Sequence, residues 1–184
     1  MSSNLSKEDQ RSAAVMAAAI PVFARYGFAK ATMGDIAREA GMSRPALYLL
    51  FANKEALFQA LTQSLLEQSF AAAEAAWPPG AAAYPGLHDA LLAKELPIFR
   101  LLKSSPHADE ILSANSRLLG ELHTLHEMRF AALLAARLAA AGIAEAQATA
   151  TLVTHALHGL KTANTTEDGF RADVERLSKL IARP

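Results

Sequence analysis

Between residues 32 and 54 the chain places two hydroxyls (Thr32, Ser43), a guanidinium (Arg44), a phenol (Tyr48) and an ammonium (Lys54). Hydroxyls and backbone N–H groups at helix N-termini suit phosphate oxygens. An arginine can take a guanine edge through a bidentate pair. Taken singly, each residue reads as a helix cap or a surface charge. The chemistry they share is recognition of a nucleic acid. The histidines are a second candidate set. His123 and His126 are three apart, as are His155 and His158, so each pair shares a helix face and two such pairs can hold a metal between helices. No E-x-x-H or H-E-x-x-H pattern accompanies them, and cysteine is absent. They read as polar lining of a pocket or of a helix interface, and no metal or cofactor is expected. No nucleophile elbow, P-loop or G-x-G-x-x-G is present, and His107 with Asp109 and Glu110 is an ordinary helix start, so no enzyme is expected.

The elements that must position the first set are short. Thr32 and Asp35 have the spacing of a capping box ahead of an apolar face at Ile36, Ala37 and Ala40. Gly41 stands where the chain must leave that helix, and glycine takes the left-handed conformation cheaply. Ser43 caps a second helix, about Arg44 to Leu50, with Pro45 in its first turn, where a missing N–H does little harm. Leu47 and Phe51 are its core side, and Asn53 caps a third helix opening at Lys54. Two short helices joined by a Gly-containing turn form a helix-turn-helix, and the second helix can enter a major groove ~12 Å wide.

The pattern T-M-x-D-I-A-x-x-A-G-M-S-x-x-x-L-Y-x-x-F-x-x-K-E-x-L resembles the N-terminal domain of the TetR-type bacterial transcriptional regulators. With the preceding helix and the Tyr26-Gly27-Phe28 turn, the resemblance spans roughly Val15 to Leu57. It implies phosphate contacts from Thr32, Ser43 and Lys54, and a backbone or thymine-methyl contact from Tyr48. Pro45 and Leu49 are further expected contacts, to bases through apolar surface. Pro45 stands where the family often has Gly. Leu50 stands where it usually has His or Tyr, a frequent phosphate contact.

Composition fits. The chain has 184 residues, 52% hydrophobic, with no cysteine, and its Ala-rich segments carry few β-branched runs, so an all-α protein is expected. Net charge is zero, but residues 1–54 carry seven Lys or Arg (7, 11, 25, 30, 38, 44, 54) against four Asp or Glu (8, 9, 35, 39). The remainder is correspondingly acidic, the asymmetry of a chain with a nucleic-acid-binding end. The apolar run 13–24 has a charge-balanced flank and is shorter than the ~20 residues a bilayer needs, so a soluble, cytoplasmic protein without a membrane segment is expected.

About nine helices are expected. The first runs from about Lys7 to Arg25, kinked at Pro21 and ended by Gly27. A long helix from Lys54 to about Trp77 reaches ~36 Å and links two domains, residues 1–53 for DNA binding and 54–184 for effector binding and dimerisation. Helices are then expected at about 87–103 (kinked at Pro97), 106–114, up to 141, 145–163 and 168–182. Trp77, Phe99, Met128 and Phe130 fall on helices that in relatives surround a ligand cavity. The resemblance implies that the last two helices pair with their symmetry mates in a four-helix bundle. Thr149, Leu152, Ala156 and Gly159 on one, and Phe170, Val174 and Leu177 on the other, are the expected interface. The expected function is a homodimeric, ligand-responsive repressor on a palindromic operator in double-stranded DNA, released by a small-molecule effector. The rival is a helical ligand- or partner-binding module without operator binding.

Overall fold

The computed structural model describes residues 6–182, and every regular element among them is a helix. They are α1 (Lys7–Lys30), α2 (Met33–Glu39), α3 (Arg44–Leu50), α4 (Lys54–Ala76), α5 (Ala83–Lys103), α6 (Ala108–Ala140), α7 (Ala146–Ala163) and α8 (Glu167–Ile181). The chain divides into two compact units. One holds the described residues up to Leu65 together with Ser104–Gly120; the other holds Leu66–Lys103 and the residues from Glu121 on.

Eight helices stand where nine were expected, because the expected break after residue 114 is absent. No Pro or Gly lies between Ala108 and Leu119, so α6 runs on and leaves helical geometry only at Leu119 (φ −141°, ψ 18°). Pro21 and Pro97, where kinks were expected, both lie inside continuous helices. Proline's own φ near −65° is helical, and its cost there is the lost N–H and the crowding of its ring against the carbonyl four residues back. The break in α1 falls at Gly27 (φ 73°, ψ 170°), and α5 departs at Tyr84 (φ −114°, ψ 128°).

In the first unit, the apolar side of α1 (Val15, Ala19, Val22, Phe23) is buried and packs with α2 and α3. By length and composition α1 could cross a membrane; here its apolar side is core. Phe23, Phe28 and Phe58 form a triangle with ring centres 4.9–5.9 Å apart, the 5.3 Å and 4.9 Å pairs edge-on. A segment distant in sequence also belongs to this unit. Glu110 Oε1 accepts the Ala29 N–H at 2.6 Å, and Ser105 Oγ donates to the Ala24 carbonyl at 2.8 Å. Gly27 lies so close to the Glu110 carboxylate that a Cβ there would collide with it.

The second unit is built around Trp77, Leu87, Leu91, Phe130, Leu134, Leu138 and Phe170, all buried. Helix α8 packs on α5 and α7. Phe170 stacks on Phe99 at 4.7 Å, and Arg100 grips Glu167 through two 2.6 Å bonds. Bonds from Arg100 and then Arg171 lower the Glu167 pKa to about 2.

Candidate functional site

Helix α2 opens with the expected capping box. Thr32 Oγ1 accepts from the Asp35 N–H at 3.1 Å, and Asp35 Oδ2 accepts from the Thr32 N–H at 3.2 Å. The Thr32 hydroxyl bond is the largest influence holding the Asp35 carboxyl below its ordinary pKa, with Arg38 adding to it. Gly41 takes a left-handed conformation (φ 64°), and the Met42 N–H reaches back to the Ala37 carbonyl at 3.0 Å, closing α2. Ser43 Oγ then accepts from the Ala46 N–H at 3.3 Å and starts α3. Two capped ends and one glycine thus set the angle between the two helices.

This geometry sorts the residues of α3. Leu47 is fully buried and Phe51 nearly so, which holds the helix to the unit. Arg44, Pro45, Tyr48 and Leu49 face outward, Tyr48 at 45% and Leu49 at 83% exposure. The Arg44 side chain runs back along α2, where its Nε and Thr32 Oγ1 each pass 3.6 Å from the point a Gly34 Cβ would occupy. Thr32, Arg44 and the first N–H groups of α2 therefore stand together, and α3 carries no acidic residue. Arg38, which the sequence pattern did not single out, is a further exposed cation on α2, 3.4 Å from Asp35. Leu50 is half-buried and offers no polar atom.

Lys54 is a correction. Its Nζ donates to the carbonyls of Phe28 (2.6 Å), Ala29 (3.0 Å) and Ala31 (3.0 Å), and sits 4.7 Å from the Phe28 ring centre. An ammonium has three N–H groups, so all are taken in closing the end of α1. What this position can offer a phosphate is backbone N–H at the start of α4, where Asn53 Oδ1 satisfies Ala56 at 2.7 Å.

In the second unit the four expected pocket residues are placed differently. Phe99 and Phe130 are buried in the core, and Met128 is 65% exposed. Trp77 lines a cleft of about 450 Å³ together with Tyr84, Arg137 and Ile143. Beside Phe130 lies a charged network that sequence spacing did not reveal. Buried Lys94 contacts Glu95 at 2.5 Å and Glu127 at 3.0 Å, and Lys161 reaches Glu95 at 2.7 Å. Burial pushes the Glu95 pKa up, but Lys161 and Lys94 more than offset it and the carboxyl ends below its ordinary value. Burial likewise lowers Lys94, and Glu95 and Glu127 reverse it. Burial holds the His123 imidazole below its ordinary pKa; Glu127 opposes, while Lys161, Lys94 and His126 add to the lowering. His126 is buried beside Glu67 at 3.4 Å, whereas His155 and His158 are exposed. Among the described residues no group of three His, Asp or Glu stands within reach of one metal ion.

The expected interface residues also divide. Phe170 and Val174 are fully buried in their own unit, and Leu177 packs partly buried against the same core. The apolar stripe of α8 is therefore intramolecular, because that helix has to close over α5 and α7. On α7, Leu152 (64%) and Gly159 are exposed and Thr149 and Ala156 half-buried, along one outward face. Leu180 on α8 is also exposed, at 62%.

Residues 15–61 match the family described as bacterial regulatory proteins, tetR family. The HTH-type transcriptional regulator YfiR of Bacillus subtilis is 39% identical over 70 residues, 37% of this chain and 34% of that protein. The HTH-type transcriptional regulator EthR of Mycolicibacterium smegmatis is 36% identical over 61 residues, 33% of this chain and 28% of its own length. These matches thus span about a third of the curated relatives. A TetR-like transcriptional regulator from Rhodococcus sp. RHA1 shares the fold, with a TM-score of 0.67 at 22% identity over 98% of this chain and all of that one.

Proposed function

We propose that the chain is a TetR-type helix-turn-helix regulator that binds a palindromic operator in double-stranded DNA as a homodimer and represses transcription in the cytoplasm until a small-molecule effector releases it. The observation that carries the reading is the exposed face of α3. Arg44, Pro45, Tyr48 and Leu49 are all turned outward from a helix whose other side is fixed by Leu47. A guanidinium, a phenol and two apolar surfaces suit base edges and the thymine methyl, and the N-termini of α2, α3 and α4 suit phosphates. Lys54 serves by position and not by its ammonium.

A two-fold dimer puts two copies of α3 on one DNA face, which calls for a roughly palindromic site. The outward face of α7, with Thr149, Leu152, Ala156 and Gly159, is the proposed contact, joined by Leu180. Helix α4 is the proposed link to the effector, which acts by its differential affinity for two positions of that helix.

The test is binding to DNA upstream of the chain's own gene, followed by fluorescence anisotropy over a salt series. Affinity should fall steeply with salt, and Tyr48→Ala should weaken the complex ~10-fold, the cost of about 1.4 kcal/mol of contact. An affinity indifferent to both salt and Tyr48 would favour a helical binding module without an operator.

A further inference from the structure

The cleft beside Trp77 has a chemistry that the packing of the second unit does not account for. Its volume of about 450 Å³ falls within the ~300–1,000 Å³ of small-molecule sites. It opens where the segment after α4 turns into α5, against the last turn of α6 and Ala182. Its walls are small and apolar, Ala81 to Ala83, Ala141 and Ile143 among them, with the nearly buried Trp77 ring at its base.

Among the described residues a single charged side chain lines it, Arg137, and no carboxylate does. The Arg137 Nε donates to the Trp77 carbonyl at 2.9 Å, which fixes the plane of the guanidinium. The two terminal NH2 groups are the remaining donors of the fork. The other ionisable lining group is Tyr84. A half-buried, oriented guanidinium at the edge of an apolar cleft is complementary to a planar anion. A carboxylate can take two parallel N–H···O bonds from the free end of the fork.

We propose that this cleft binds an amphipathic monocarboxylate, a hydrocarbon or aromatic body seated on Trp77 and the alanines with its carboxylate held by Arg137. The proposal deepens the effector reading and rests on it only for the consequence to DNA; the site itself stands on the cleft and Arg137.

Titration calorimetry on the full chain at fixed ionic strength tests it, with octanoate and benzoate against the isosteric octanamide and benzamide. The acids should bind saturably, one per chain, and the amides at least ~10-fold more weakly, the loss expected for a charge-assisted bond. Arg137→Gln should remove that preference and Arg137→Lys retain part of it. Ala82→Trp fills the cleft from an exposed loop position without touching the Arg137 bond to Trp77, and should abolish binding even if Arg137→Gln fails to fold. Equal binding of acid and amide, no saturable binding, or binding that survives Ala82→Trp or a folded Arg137→Gln would overturn the site. Affinity for the upstream DNA, measured in parallel, separates the two readings. Acids that bind through Arg137 yet leave the DNA complex intact support the site and refute release from it. Release that survives both variants overturns the site alone.

Discussion

At the scale of the residue, the same side chain can serve DNA or the fold, and hydrogen-bond partners decide which. Arg44 and Tyr48 have exposed polar ends. Lys54 has none to spare, since three carbonyls take its three N–H groups. Lys54→Met should therefore lower the stability of the folded chain by about 1 kcal/mol, the net loss of hydrogen bonds to partly exposed carbonyls, seen as a lower melting temperature. The salt slope of DNA binding should stay unchanged, whereas loss of a true phosphate contact lowers it by about 1. An unchanged melting temperature with a shallower slope would reverse the assignment. Gly27 obeys the same logic with sterics in place of hydrogen bonds. Its φ of 73° strains any residue with a Cβ, and that Cβ would push the Glu110 carboxylate off the Ala29 N–H, so Gly27→Ala should destabilise by about 1–3 kcal/mol, measurable by urea unfolding.

At the scale of the element, α5, α6 and α7 meet over charges as well as apolar side chains. Lys94 and Glu95 from α5, His123, His126 and Glu127 from α6 and Lys161 from α7 share one neighbourhood. The His123 pKa is lower in the folded chain than the unperturbed value near 6.5. On acidification the unfolded chain thus takes up the proton first. Stability contributed by neutral His123 is present above that range and is lost as pH falls through it. The melting temperature should drop between pH 7.5 and 5.5, and His123→Gln should flatten that drop. A slope identical in the variant would show that His123 does not titrate against these cations. Spacing in sequence could place His123 and His126 on one face. It could not show that lysines from two other helices stand beside them.

At the scale of the whole molecule, the operator reading needs two copies. The second unit uses the apolar stripe of α8 for its own core, and what remains outward on α7 is Leu152 with small neighbours. Leu152→Asp puts a charge in the proposed contact while altering a side chain already exposed in the single chain. Light scattering should then report monomer in place of dimer, with the melting temperature little changed and DNA affinity strongly reduced. A dimer that persists would move the interface elsewhere. The zero net charge of the chain does not count against DNA binding, because the positive excess is gathered in residues 1–54.

The sequence alone was enough for what depends on a few neighbouring residues. Thr32 with Asp35, Gly41, and Ser43 with Pro45 dictate two capped helices and the turn between them, since caps and left-handed glycines act over three or four positions. Leu47 inward and Tyr48 outward follow from the helical period. Tertiary structure decided whatever needs partners from far along the chain. An amphipathic stripe such as Phe170–Val174 looks the same whether it meets a second molecule or its own core. A cation such as Lys54 looks the same whether it is free or held by carbonyls 23 to 26 residues away. Periodicity tells which side of a helix is apolar; only close packing tells what that side touches.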